Sequence, residues 1–245
     1  METSDYLRAV QAQGALLTTS ASGALDLPVP SCPGWTVARV VDHTGKVHRH
    51  VADRVLRGST TAEDVVRVTA PEGEALVPWF EEGLVALVDV LASADLDRPV
   101  WNWSVTAPQT AAFWPRRMAQ ETAVHRTDVQ LARGVAEPIN PGLAADGIDE
   151  FFEVCLPPDL DALAGDGGTV VVRATDAPAA WSVAALPGGA EITRGAPAGV
   201  EPAATIAGGA SDVLLVLWRR LGTDAVDVSG DRAFVDRFLA TADLG

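Results

Sequence analysis

Lysine is almost missing from this 245-residue chain: Lys46 is the only one, and the other 17 of its 18 basic residues are arginine. Positive charge is scarce altogether, because 33 Asp and Glu leave a formal net charge of −15. A chain this acidic repels phosphate backbones and anionic lipid headgroups, which argues against nucleic acid and membrane surfaces as partners. Long hydrophobic runs are absent too. None approaches the ~18–20 residues that a bilayer span needs. The opening stretch, METSDYLRAVQAQ, carries Glu2 and Asp5 where a secretory signal would have basic residues and an apolar core. The expectation is a cytoplasmic protein. Cysteine is limited to Cys32 and Cys155. Two distant cysteines in an intracellular chain are expected as free thiols.

What is present is ordinary globular composition, 48% hydrophobic and 21% charged. The length allows one large domain or two small ones. Abundant Ala, Val and Gly beside arginine-for-lysine usage is what GC-rich codons produce, which points to a high-GC, actinobacterial source and says nothing about activity.

The first part of the chain reads as four helices. SDYLRAVQAQGALLTT follows a possible cap at Ser4. The Pro- and Gly-rich LDLPVPSCPGW then leads to Thr36, an N-cap for TVARVVDHTGKVHRHVADRVL. A third helix covers EGEALVPWFEEGLVALVDVLA. A fourth runs from Gln109 to Arg133, stops at Gly134, and carries Pro115 in its first turns, where proline costs least. Four such helices without intervening strands suggest a four-helix bundle over residues 1–138. VAEPINPGLAADG, residues 135–147, reads as a linker. Beyond it, over residues 147–245, the pattern changes. A helix at IDEFFEVCL precedes short strands at GTVVVRA, AAWSVAAL, AEITR and ATIAG. Then come a helix at SDVLLVLWRRLG with a possible Ser211 cap, a strand at AVDVSG and a final helix capped near Gly230 or Asp231. The expected fold class is α+β: a helical bundle followed by a smaller domain with a mostly antiparallel sheet.

Two helices carry the residues of interest. In the second, Val37, Val40, Val47 and Val51 form an apolar stripe, and His43 falls between Val40 and Val47 on the inward face. His50, seven residues on, falls near that face, whereas His48 points elsewhere. In the fourth, the stripe is Trp114, Met118, Thr122, His125 and Val129. Glu121, four before His125, shares a face with it one turn away. An ionised carboxylate is costly in a bundle core unless something compensates it, and a divalent cation would do so while taking imidazole lone pairs. Two His and one Glu suit Zn²⁺ with an open fourth position. On spacing alone, Glu-x-x-x-His is equally a solvated surface pair or a hydrogen-bonded core pair, and an inward histidine is equally a satisfied core residue.

A resemblance bears on that choice. CPGWTVARVVDHTGKVHRHVADRVL, residues 32–56, resembles the N-terminal domain of the mycothiol-dependent maleylpyruvate isomerase family, one of the DinB-like metal-binding bundles. WPRRMAQETAVHRTDVQLARG, residues 114–134, resembles the family's second motif, whose E-x-x-x-H-R-x-D supplies metal ligands. ATIAGGASDVLLVLWRRLGTDAVDVSGD, residues 204–231, is similar to the family's sterol-carrier-like C-terminal domain. The resemblance implies His43, Glu121 and His125 as metal ligands, mycothiol as a second cofactor, and a small, electrophilic, possibly anionic and unsaturated substrate. It also implies an arginine of the second domain to meet that anion, with Arg220 the first candidate and Arg219 the second. Asp128, three after His125, is placed to orient a ligand or to grip a polar cofactor group. Arg126 reads as a structural ion-pair residue, Trp35 as a staple at the start of the second helix, and Cys32 as lacking the basic partner that a catalytic thiol needs.

A thiol on the open metal position loses its proton near neutral pH and becomes a nucleophile. In an isomerase it adds to an activated cis double bond, permits rotation and departs; in an S-transferase it stays attached. Two other readings remain open: a hydrolase using metal-activated water, and a non-enzymatic module that binds metal or a small ligand. The expected partners are a small substrate and a low-molecular-weight thiol, with the protein a monomer or homodimer.

Overall fold

The computed structural model describes residues 1–156, 168–186, 189–195 and 201–242. These divide into two compact units, Met1–Glu137 and Pro138–Gly245.

The first unit contains helices α1 (Thr3–Ala21), α2 (Val37–Arg57), α3 (Leu76–Ser93) and α4 (Phe113–Arg133). α1 packs on α3 and α4, and α2 packs on the same two from the other side, so the four close into a ring. α1 begins one residue before the expected Ser4 cap, and the Asp5 carboxylate accepts the Glu2 backbone N–H at 3.0 Å. Thr36 does cap α2, its hydroxyl accepting from the Arg39 N–H at 3.4 Å. α4 starts at Phe113, four residues later than expected. The intervening residues are used otherwise: Thr110 pairs with Pro99, and the Gln109 side chain accepts the Asn102 N–H at 2.8 Å. Pro115 lies in the first turn, and α4 ends where Gly134 turns left-handed at φ 69°.

The buried stripe of α2 is Val37, Val41, Thr44, His48, Val51 and Val55. Of the expected line, Val37, Val40 and Val51 are buried and Val47 is only half-buried. The cause is that α2 meets two neighbours at once, so its buried arc is wide and centred between α3 and α4. His43 consequently sits at the flank of that arc. His48, expected to point elsewhere, lies at its centre.

The second unit carries α5 (Pro141–Glu150), which runs into a π-helical turn at Phe151–Cys155. Residues 141–147, read as linker, are therefore helical. Asn140 caps them through hydrogen bonds from the Gly142 and Leu143 N–H groups, and Pro141 occupies the first turn, a helix-start pattern that the Pro and Gly content masked. The strands are β1 (Thr169–Ala174), β2 (Ala180–Leu186), β3 (Gly189–Arg194), β4 (Ala204–Gly208) and β5 (Asp227–Gly230), in the order β3-β2-β1-β4-β5. Three pairings are antiparallel and β1–β4 is parallel, Val170 opposite Ala204. α6 (Ala210–Leu217) packs on β1, β4 and α5, and α7 (Arg232–Thr241) closes the unit. α6 is capped at Gly209, not Ser211, whose hydroxyl instead accepts the Ile139 N–H at 2.9 Å. It stops short of the expected Gly222 because Arg219 turns left-handed, φ 55°. Asp231 caps α7 through the Phe234 N–H at 3.0 Å.

Gly230 ends β5 with φ 84°, and a Cβ there would lie 2.2 Å from the Ala203 carbonyl oxygen. Gly230→Ala is expected to cost about 1–3 kcal/mol from backbone strain alone, a fall of several degrees in the unfolding midpoint measured by circular dichroism. An unchanged midpoint would contradict this.

Candidate metal centre

On α4, a residue spacing of four stacks Arg117, Glu121 and His125 along one helix face. α2 supplies His43 from the facing helix. The structure brings His43, Glu121 and His125 together, with one potential ligand atom from each lying within 4.8 Å of the others. Glu121 Oε1 is 3.4 Å from His43 Nε2 and 3.2 Å from His125 Nε2. Ligands at zinc-like bond lengths around a tetrahedral ion are separated by about 3.3 Å, so these edges fit such a cation. The imidazoles of His43 and His125 meet edge to face, centroids 5.0 Å apart. His125 is 8% exposed at the side chain and His43 35%, so the cluster is closed on the α4 side and reaches solvent past His43.

Each candidate ligand on α4 is anchored from behind. His125 Nδ1 donates to Asp128 Oδ2 at 2.9 Å, which directs Nε2 at Glu121. Asp128 is fully buried, and its other oxygen accepts from Ser31 Oγ at 2.6 Å. It is therefore placed to orient His125 and is shielded from solvent. Arg117, 4% exposed, donates to Glu121 Oε2 at 2.8 Å. Sequence reasoning missed Ser31 and Arg117. Arg117 carried a signal, standing four residues before Glu121 just as Glu121 stands before His125. Ser31 lies 97 positions from Asp128 and carried none.

Electrostatics follows from this packing. Burial is the largest influence on Glu121 and by itself would raise its pKa. His125, hydrogen bonds from both histidines and the Arg117 guanidinium outweigh it, so the carboxyl stays well below the usual carboxylate range. Burial likewise pushes His125 down, but Glu121 and Asp128 overcome it and lift the imidazole to about 9. His48 shows the opposite outcome. It is fully buried, lies tilted against Phe80 and is 3.0 Å from Thr122 Oγ1. That hydroxyl gives its proton to the Met118 carbonyl at 2.7 Å, so His48 Nε2 is the donor. Burial lowers the His48 pKa to about 3, leaving it neutral. His50 faces Arg54, 3.3 Å from its Nε, and takes no part in the cluster.

The remaining expectations resolve as follows. Arg126 is buried and structural, but through amide and carbonyl oxygens of Gln13, Gln130 and Glu137, not through an ion pair with a carboxylate. The Trp35 ring lies 5.3 Å from His43, with the Arg39 guanidinium 5.2 Å from its centroid. Neither Cys32 nor Cys155 forms a disulfide among the described residues. In the second unit, Arg219 bonds the Ala242 carbonyl and Arg220 donates to the Trp218 carbonyl at 3.0 Å. No helix among the described residues is long and apolar enough to cross a membrane.

These shifts set a pH profile for the metal-free protein. His125 has a folded pKa above its unfolded value near 6.5, so its contribution is complete below about 6.5 and disappears as pH rises through about 9. The ceiling on that loss is about 3 kcal/mol. Glu121, depressed on folding, loses its contribution as pH falls below the carboxylate range. His48, neutral when folded, costs stability as pH falls from about 6.5 towards 3. Urea unfolding across pH 5–9.5 should therefore show a maximum near pH 6.5. His125→Gln should abolish the alkaline decline; an identical decline in that variant would refute the assignment.

Comparison with known proteins places this geometry. A family profile described as the mycothiol maleylpyruvate isomerase N-terminal domain matches residues 7–130, and its C-terminal counterpart matches residues 142–237. No curated protein matches the sequence. Among solved structures, the mycothiol-dependent maleylpyruvate isomerase and a histidine-to-alanine mutant of it each align with a TM-score of 0.62 at 15% identity, covering 94% of this chain and 93% of theirs. That likeness shows a shared fold, and the two profiles together span most of the sequence: the chain belongs to the mycothiol-dependent maleylpyruvate isomerase family of isomerases.

Proposed function

We propose that this protein binds one divalent cation, zinc being the best match, through His43, Glu121 and His125, and uses it with mycothiol to isomerise a small unsaturated acid of the maleylpyruvate type. The observation that carries the reading is the convergence of two imidazole nitrogens and one carboxylate oxygen within 4.8 Å on facing helices, beside a half-exposed His43. Three N/O ligands leave a fourth position for an exogenous group. A bound cation would supply the charge that lowers the pKa of a thiol held there.

The chain's own residues prepare that chemistry. Asp128 fixes His125 with Nε2 forward, and Ser31 fixes Asp128. Glu121 enters as a carboxylate, because its neighbours hold the proton off. The proton that His125 carries in the metal-free state must leave before its nitrogen can ligate, so metal uptake weakens as pH falls below about 9. His43 forms the solvent-facing wall through which thiol and substrate approach. For the substrate's negative charge we retain Arg220, the arginine implied by the family resemblance.

Elemental analysis should find about one metal ion per chain, and His125→Ala should remove it. Asp128→Asn should weaken metal affinity by roughly 10–100-fold, as loss of a ligand-orienting carboxylate does. Full occupancy in His125→Ala would refute the ligand set. Isomerisation of a cis-dienoate should need both metal and thiol; isomerisation undiminished without thiol would refute the thiol's role, and thiol-independent hydrolysis in its place would favour a hydrolase. Arg220→Ala should raise KM about 10–100-fold with metal content unchanged; an unchanged KM would remove Arg220 from the site.

A further inference from the structure

We propose that Arg117 is a positioning residue that confines Glu121 to ligation through a single oxygen and so keeps a coordination position free for the thiol. The inference rests on the metal-binding reading above and concerns how the site stays open.

Carboxylates bind divalent cations through one oxygen or two. A glutamate free to rotate beside a three-ligand cation can swing its second oxygen inward and fill the vacancy that catalysis requires. Here the two oxygens have different partners. Oε1 faces the histidine pair, 3.4 Å from His43 Nε2 and 3.2 Å from His125 Nε2. Oε2 is turned away and accepts from Arg117 Nη2 at 2.8 Å. Arg117 is 4% exposed at the side chain and rises from α4 one turn before Glu121. The restraint is therefore buried and belongs to the same helix as the carboxylate it holds. A guanidinium suits the task, since it is planar, permanently charged and unable to accept a proton or bind a metal. A surface Arg–Glu pair four residues apart would add only a few tenths of a kcal/mol to helix stability. This pair is oriented towards the metal ligands and shielded from water.

The test is cobalt(II) substitution, whose visible spectrum distinguishes four- from five-coordinate sites. The wild-type protein should give the intense bands of a four-coordinate ion, and added mycothiol should produce a sulfur-to-cobalt charge-transfer band. Arg117→Met should keep about one cobalt per chain but lose band intensity as Glu121 becomes bidentate. Its apparent dissociation constant for mycothiol should rise about tenfold or more. Arg117→Lys, which retains a donor and the charge, should restore part of both. An Arg117→Met protein with wild-type spectrum and thiol affinity would overturn the proposal and leave the metal site standing. Absence of metal from the wild-type protein would remove both. Should Arg117→Met not fold, a crystal structure of the metal-loaded wild-type protein decides: Glu121 bound through Oε1 with Oε2 on Arg117 supports the proposal, and a bidentate Glu121 ends it.

Discussion

The structure of the first unit depends on how one carboxylate is accommodated between two helices. Glu121 stands on a helix face whose neighbours are Met118, Thr122 and Ala123, all buried. An ionised group in such surroundings is unfavourable by several kcal/mol unless it is fully paired. Every polar neighbour of the cluster answers that demand. His43 and His125 face one oxygen, Arg117 takes the other, and Asp128 and Ser31 hold His125 in the orientation the arrangement needs. A half-assembled version would be worse than an apolar core, because each missing partner leaves a buried charge or a stranded donor. The proton that Glu121 and Asp128 hold on His125 supplies positive charge to the cluster.

This explains which parts of the site were legible in the sequence. Glu121 and His125 are one turn apart on one helix, and helical geometry alone puts them together. Pairing them with His43 requires knowing that α2 and α4 are neighbours, which periodicity does not state and which the family resemblance supplied. The buried arc of α2 was read too narrowly, and His48 misplaced, because valine at 37, 40, 41, 47, 51 and 55 permits two overlapping stripes. Only contact with both α3 and α4 selects the one containing Thr44 and His48. Ser31 was invisible for the same reason in stronger form, since its loop reaches Asp128 across the fold.

In the second unit, strands were readable from β-branched and aromatic residues bounded by Gly and Pro, while helix ends were not. The linker reading failed at 141–147 because Pro and Gly mark both loops and helix starts. What settles the matter is the Asn140 side chain accepting two backbone N–H groups. α6 stops early because Arg219 adopts a left-handed conformation that statistics assign to glycine. In both cases a hydrogen bond or a backbone angle decided the boundary: the Asn140–Pro141 start was written in the sequence but masked by its Pro and Gly neighbours, and the left-handed turn at Arg219 has no one-letter signature.

The contrast between His48 and His125 shows what turns a buried histidine into a candidate ligand. Both are buried, they lie on facing helices and they sense the same Glu121 charge. His48 has a threonine hydroxyl on Nε2, and that hydroxyl has already given its proton to a carbonyl. The imidazole must therefore donate there, and burial keeps it neutral. His125 has a carboxylate behind Nδ1 and another in front of Nε2, so it is basic and aimed. Burial is common to the two, and direct contact with two carboxylates, Glu121 first and Asp128 second, is the difference. That second carboxylate is Asp128, so the pattern that sets His125 apart on α4 is Glu-x-x-x-His-x-x-Asp: one acid facing the front nitrogen and a second holding the rear one.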